Sequence, residues 1–188
     1  CPFMCTFCAE SESGVGYKIR KGYRKRSVDN VIKEIEMYLK FGITTLFFAD
    51  DTFTIDKKRT IELLNAVKNL KSNHPLGNKL FWACESRVDL LDKDLLKLMV
   101  DAGCFNIQVG LESGSQKILD SLKKGTKLSQ YREVIKTAIE NEISITCSFF
   151  FPSPEETQET IQETKNFLKE LSEFGVSLFV VGLVTPFP

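Results

Sequence analysis

Short runs of β-branched and aromatic residues alternate with amphipathic stretches along nearly the whole sequence. Thr44 to Ala49, Leu80 to Cys84, Phe105 to Val109, Ile143 to Phe150 and Val176 to Val184 read as strands. Val28, Ile32, Ile35 and Leu39 recur at helical spacing behind a capping Ser27, and Gly42 stops the run. Ile61, Leu64, Val67 and Leu70 share a face behind Asp56, and Leu95, Leu98 and Ala102 align between Asp92 and Gly103. Gln116 to Leu122 predicts a short helix, Ser129 to Asn141 a longer one and Glu155 to Phe174 the last. Pro75 to Gly77, Gly110 to Gly114 and Pro152 to Glu156 read as turns. Strands without polar interruption are buried on both faces, which calls for a parallel sheet with helices outside. Right-handed crossovers curl such a sheet into a barrel or part of one. The expected class is therefore α/β, with parallel strands in a TIM-like arrangement. Residues 1–188 form a single domain in this reading, with no repeat or linker.

In parallel α/β barrels, chemistry gathers where strands end and the following loops begin. Polar groups fall at those places here: Asp50-Asp51, Glu85-Ser86-Arg87, Glu112-Ser113 and Pro152 to Glu156. The chain opens on CPFMCTFC, which spaces Cys1, Cys5 and Cys8 as C-x-x-x-C-x-x-C. Four thiolates saturate an iron–sulfur cube, whereas three leave one iron open to another ligand. A zinc site is the competing reading of the same cysteines. Zinc takes four ligands, usually as two close pairs or with histidines, but Cys84, Cys104 and Cys147 are isolated and His74 is the only histidine. Those three cysteines lie singly in apolar surroundings, as buried reduced cysteine does. Lysine and arginine (25) balance aspartate and glutamate (25), so the chain as a whole has no field to hold nucleic acid or an acidic membrane surface. No apolar run reaches bilayer length, and a reducing cytoplasm is the expected location.

The cysteine loop resembles that of radical S-adenosylmethionine enzymes, and the likeness extends over essentially the whole chain. It is carried by RKRSVDNVIKEIEMYLKFG, FFADDTFT, WACESRVDLLDKDLLKLMVDAGC, NIQVGLESGSQKILDSLKKGT, PSPEET and the terminal TPFP, in that order. The branch it most resembles often carries a cobalamin-binding domain ahead of the radical domain. The resemblance implies a partial (β/α)6 barrel whose first strand leads into the cysteine loop. That strand would precede Cys1, so the sequence reads as a catalytic core truncated at both ends, with a sheet edge open to self-association.

The same resemblance implies the site. Cys1, Cys5 and Cys8 would be thiolate ligands of a [4Fe–4S] cluster, and Phe7 would lie against the adenine of S-adenosylmethionine. Many family members have Gly-Gly-Glu where this sequence has Ala49-Asp50-Asp51, so either Asp50 or Asp51 would meet the methionine amino group. Glu112 and Ser113 resemble groups that reach the ribose hydroxyls or the methionyl end, and Arg87 a group that meets a carboxylate. The family turn G-x-P-G-E-T is replaced by Pro152-Ser153-Pro154-Glu155-Glu156-Thr157. The activity implied is reductive cleavage of S-adenosylmethionine to a 5′-deoxyadenosyl radical, which abstracts hydrogen from an unreactive carbon of a small molecule or peptide. A reductant such as ferredoxin or flavodoxin would supply the electron. With a cobalamin domain outside this sequence, the outcome would be radical methylation or a ring rearrangement.

Other readings stand beside these. A methylthiotransferase acting on RNA or protein shares several of the signals but needs further cysteines upstream, and a zinc-stabilised binding domain is the reading outside enzymes. Asp50-Asp51 could simply begin a loop, and Arg87 could salt-bridge Asp89 at the surface. Lys18, Arg20, Lys21, Arg24, Lys25 and Arg26 form a basic run that reads as a solvated loop or as a clamp for an anion. Phe149, Phe150, Phe151, Phe179 and Phe187 read as core or barrel lining, and His74 as a turn residue.

Overall fold

Four of the six helices described begin where a side chain replaces a missing backbone partner. The computed structural model describes residues 1–9 and 24–183. The hydroxyl of Ser27 accepts from the Asn30 amide at the start of α1 (Val28–Lys40), and Asp56 accepts from Arg59 ahead of α2 (Lys57–Asn73). Asp92 does the same for α3 (Lys93–Asp101), by accepting from Leu95. After the short α4 (Gln116–Ser121) come α5 (Leu128–Glu140) and α6 (Gln158–Glu173). The last helix starts at Gln158 behind the cap Thr157, three residues later than the sequence suggests, because Glu156 turns back to accept from the Ser153 amide.

Five strands lie between these helices: β1 (Thr45–Phe48), β2 (Phe81–Ser86), β3 (Cys104–Glu112), β4 (Ser144–Phe151) and β5 (Leu178–Leu183). They form one sheet in the order β1-β2-β3-β4-β5, and every neighbouring pair is parallel. This is the expected α/β partial barrel. Among the described residues the outer edge of β1 is unpaired, and Phe47 there is exposed. The stretch from Ser11 to Gly22, Lys18 to Lys21 of the basic run, Phe187 and the terminal Thr-Pro-Phe-Pro lie outside the described residues. Arg24, Lys25 and Arg26 are exposed, with Lys25 paired to Asp56 and Arg26 to Glu34.

The expectation that strands are buried on both faces needs correction. Only the helix-facing side is apolar throughout: Trp82, Cys84, Ile107, Val109, Leu111, Ile145 and Cys147 are each at most 1% exposed. The alternate positions include Glu85, Gln108 and Ser148, which line a cavity instead of a core. Trp82 anchors the apolar side, with Phe48 and Phe53 ring centroids 5.2 and 5.3 Å away and its indole N–H bonded to the Ala102 carbonyl. Each fully buried Leu or Ile in that layer contributes about 1.5–3 kcal/mol. Their sum holds the strand ends, and therefore the polar groups on them, in fixed positions.

Two elements are also longer than their composition suggests. β2 runs on to Ser86, and β3 to Glu112, so most of the stretch read as a polar turn (Gly110 to Gly114) is strand. Its glycines serve close packing. A β-carbon on Gly114 would come 2.7 Å from Thr164 Cα and 2.8 Å from Phe167 Cβ, so α6 can reach the strand end only over a glycine.

Candidate active site

The segment from Cys1 to Ala9 has no helix or strand of its own and is held by long-range contacts. The Thr6 amide donates to the Leu122 carbonyl at 3.0 Å, and the Cys8 amide closes a turn onto Cys5 at 3.4 Å. Phe7 packs on Phe150 of β4, ring centroids 4.7 Å apart. Phe3 lies against the Arg87 guanidinium, 3.7 Å from ring centre to Cζ. Cys5 is buried, while Cys1 and Cys8 are half-buried.

Beneath this loop is a cavity of about 180 Å³. Its walls include Cys1, Cys5, Phe7 and Cys8 from the loop, and Asp51, Glu85, Arg87 and Glu112 from the ends of three strands. Gln108 and Ser148 complete the inner face and Lys124 closes one side. Asp50 stands apart from this lining and borders a separate groove beside β1 and α1. Ser113 is likewise absent from the lining. Its hydroxyl is shared with Thr164 of α6 and accepts from the Ser115 amide. The chain thus brings together Cys1, Cys5, Cys8, Phe7, Asp51, Arg87 and Glu112, and sets Asp50 and Ser113 outside.

Glu112 is aimed by a distortion of β3. The register between β3 and β4 shifts between Gly110 and Glu112, and Glu112 has φ of +64°, in the left-handed region that non-glycine residues rarely adopt. The carboxylate meets Lys124 Nζ at 2.6 Å, and the Lys124 ammonium lies 5.7 Å from the Phe7 ring centre. A β-carbon on Gly110 would approach Glu112 Oε1 to 2.5 Å and Lys124 Nζ to 2.9 Å, so glycine makes room for the pair. Behind them, the buried Tyr131 hydroxyl donates to the Gly110 carbonyl at 2.8 Å, and burial pushes its phenol well above the usual range.

Arg87 and Asp89 do pair, through two bonds of 3.0 Å each, but the arginine is 6% exposed, so this is not a surface bridge. Arg87 Nη2 also donates to the Lys124 carbonyl at 2.7 Å, and Nη1 to Cys5 Sγ at 3.5 Å. Glu85 has a raised pKa, caused first by desolvation and then by the nearby Asp51. Sequence reasoning left Lys124, Gln108 and Ser148 out of the site and treated Glu85 only as a strand-end acid. Adjacent lysines such as Lys123-Lys124 carry the ordinary signature of a solvated turn, and nothing local singles out the buried one.

The donor set can be tested against the cluster. Among the described residues, no three of His, Cys, Asp and Glu stand close enough together to hold a single metal ion. Thiolates on three different irons of a cube stand further apart than three ligands of one zinc. Cys1, Cys5 and Cys8 line one cavity, and three thiolates are the donor set that leaves one iron of a cube open to a further ligand.

An all-parallel partial barrel with a cysteine loop seated over its strand ends defines a class of α/β enzyme fold. The chain belongs to the Radical SAM superfamily, whose family model matches residues 1–168. It is 33% identical over 189 residues to "Uncharacterized methyltransferase PH0819" of Pyrococcus horikoshii, covering all of this chain and 38% of that protein. It is 32% identical over 167 residues to the anaerobic magnesium-protoporphyrin IX monomethyl ester cyclase of Cereibacter sphaeroides, covering 87% of this chain and 26% of the cyclase. The chain thus spans well under half the length of either relative. In fold it matches the radical S-adenosylmethionine methyltransferase TsrM from Kitasatospora setae, solved with cobalamin and a [4Fe–4S] cluster. The TM-score is 0.84 at 21% identity, over 97% of this chain and 32% of TsrM. Among the described residues no helix is long and apolar enough to cross a membrane.

Proposed function

We propose that this chain is the catalytic core of a cobalamin-dependent radical S-adenosylmethionine methyltransferase. The observation that carries the reading is the shared cavity, in which Cys1, Cys5 and Cys8 face Asp51, Glu85 and Glu112. Methylation is favoured among outcomes because a methyltransferase-named relative matches over the full chain. Cobalamin would be held by a domain outside this sequence.

Cys1, Cys5 and Cys8 would hold the [4Fe–4S] cluster. When bound, the cluster and S-adenosylmethionine together supply reductive cleavage to a 5′-deoxyadenosyl radical. The chain's own residues bind, orient and shield. Phe7, fixed by Phe150, offers a ring face to the adenine. Asp51 and Glu85 present two carboxylates where the cofactor's ammonium would sit, and its arrival would relieve the repulsion between them. The Glu112–Lys124 pair offers an acceptor for ribose hydroxyls beside a donor for the methionyl carboxylate. Asp50 and Ser113 take supporting places, Asp50 ahead of Asp51 and Ser113 holding the β3–α6 junction. Gln108 and Ser148 face the cavity as hydrogen-bonding contacts for a small-molecule or peptide substrate. An oxygen-labile cluster calls for a reducing cytoplasm and a reductant such as ferredoxin or flavodoxin.

Anaerobic reconstitution of the full chain with iron and sulfide tests the proposal. The expected result is a reducible four-iron cluster whose spin-resonance spectrum changes when S-adenosylmethionine is added, with release of methionine and 5′-deoxyadenosine. Stoichiometric zinc without iron, or a cluster indifferent to the cofactor, would overturn it.

A further inference from the structure

Arg87 is far more committed than a residue waiting for a ligand. Four of the five N–H groups of its guanidinium are already engaged: two on Asp89, one on the Lys124 carbonyl and one on Cys5 Sγ. The fork that would grip a free carboxylate is occupied by Asp89. Its flat face is covered by Phe3, two residues after Cys1 and two before Cys5. A single buried side chain therefore ties three segments together: the cysteine loop, the end of β2 and the turn that carries Lys124. That turn already receives the Thr6 amide through the Leu122 carbonyl.

We infer that Arg87 is a positioning residue for the cluster loop, fixing Cys5 and donating to its sulfur, and not a carboxylate-binding residue for the cofactor. The inference rests on the cluster reading above and deepens it. A cationic donor on a thiolate ligand favours the more negative, reduced state of a cluster. Asp89 is what aims the guanidinium. The neutral Asp89→Asn variant should therefore weaken the same effect without removing the arginine.

Three measurements on the full chain decide it, comparing the parent with Arg87→Met, Arg87→Lys and Asp89→Asn. In the reconstituted protein without S-adenosylmethionine, Arg87→Met should reduce the cluster's reduced-to-oxidised ratio at a fixed poised potential by about tenfold. That corresponds to about 59 mV for a one-electron couple. Arg87→Lys should recover only part of the loss, because an ammonium lacks the fork. In the iron-free protein, amide exchange of residues 3–8 should speed up in Arg87→Met and Asp89→Asn while the sheet is unchanged. Dissociation constants for S-adenosylmethionine on the oxidised cluster should change less than twofold in Asp89→Asn. An unchanged redox ratio with weakened cofactor binding would overturn the inference and return Arg87 to the cofactor. If the parent takes up no cluster, the proposed function falls. Exchange in the iron-free chain then decides the clamp alone: acceleration confined to the loop supports it, and no acceleration overturns it.

Discussion

Lys124 Nζ stands 2.6 Å from Glu112 Oε1, and the two side chains are only 6% and 11% exposed. They lie twelve residues apart, one at the end of β3 and the other beyond α4. A buried pair of this kind tolerates loss of both charges better than loss of one. Lys124→Met should leave the Glu112 carboxylate uncompensated and cost about 3–5 kcal/mol of stability. The double variant Lys124→Met/Glu112→Gln should recover a large part of that. Denaturant melts of the two single variants and the double form the cycle, and strictly additive losses would show that the pair is not coupled.

The two glycines at this strand end make opposite predictions. At Gly110 the atoms a methyl group would strike are the tips of Glu112 and Lys124, which can swing aside. Gly110→Ala should keep the melting temperature near that of the parent while displacing the ion pair and weakening S-adenosylmethionine binding. At Gly114 the struck atoms are Thr164 Cα and Phe167 Cβ, held by the α6 backbone. Gly114→Ala should therefore cost about 1–3 kcal/mol by forcing the helix off the strand. A melt that ranks Gly110→Ala below Gly114→Ala would contradict the geometry.

These residues mark where sequence legibility ended. The helix caps Ser27 and Asp56 could be read directly, because a cap and its helix are local. The parallel sheet with helices outside followed from alternation and from the apolar strands. The spacing singled out Cys1, Cys5 and Cys8 as a group, the family resemblance added Phe7, and the fold sets all four on one cavity. What escaped notice depends on contacts across the fold. Gly110 and Glu112 have turn-like composition, yet they belong to β3 because the cavity needs a polar, closely approached strand end. Lys124 looks like its exposed neighbour Lys123 until Glu112 comes round to meet it. Asp50 and Asp51 border different cavities, which their adjacency in the sequence does not reveal.

Glu85 makes stability depend on pH in a direction opposite to that of a salt-bridged acid. Desolvation and the neighbouring Asp51 raise its pKa in the folded state. The folded chain therefore binds this proton more tightly than the unfolded chain. The resulting stabilisation is complete below the ordinary carboxylate range and is lost as pH rises through the folded value. Glu85→Gln removes the penalty of the charged form. The variant should melt higher than the parent at pH 7, and the gap should close below about pH 4. A variant less stable than the parent at pH 7 would mean that Glu85 has a favourable partner in the ligand-free chain.

The cysteines other than Cys5 should separate into two reactive classes in the metal-free folded protein. Alkylation requires the thiolate, so both exposure and pKa count. Cys1 and Cys8 are half-buried at the cavity, within reach of a small reagent. Cys147 is fully buried on the helix side of β4, and burial pushes its thiol up to about 12. At pH 8 only about one molecule in ten thousand would carry that thiolate, before access is counted. Cys84 is raised through its hydrogen bond with Cys104 and through desolvation, and both residues are buried, so both should be slow to react. Mass spectrometry of peptides after brief iodoacetamide treatment should find label on Cys1 and Cys8, and on Cys84, Cys104 and Cys147 only after denaturant. Reconstitution with iron and sulfide should then protect Cys1 and Cys8 while leaving the other three as slow as before. Protection of the loop cysteines by zinc alone, with none by iron and sulfide, would instead favour a zinc site.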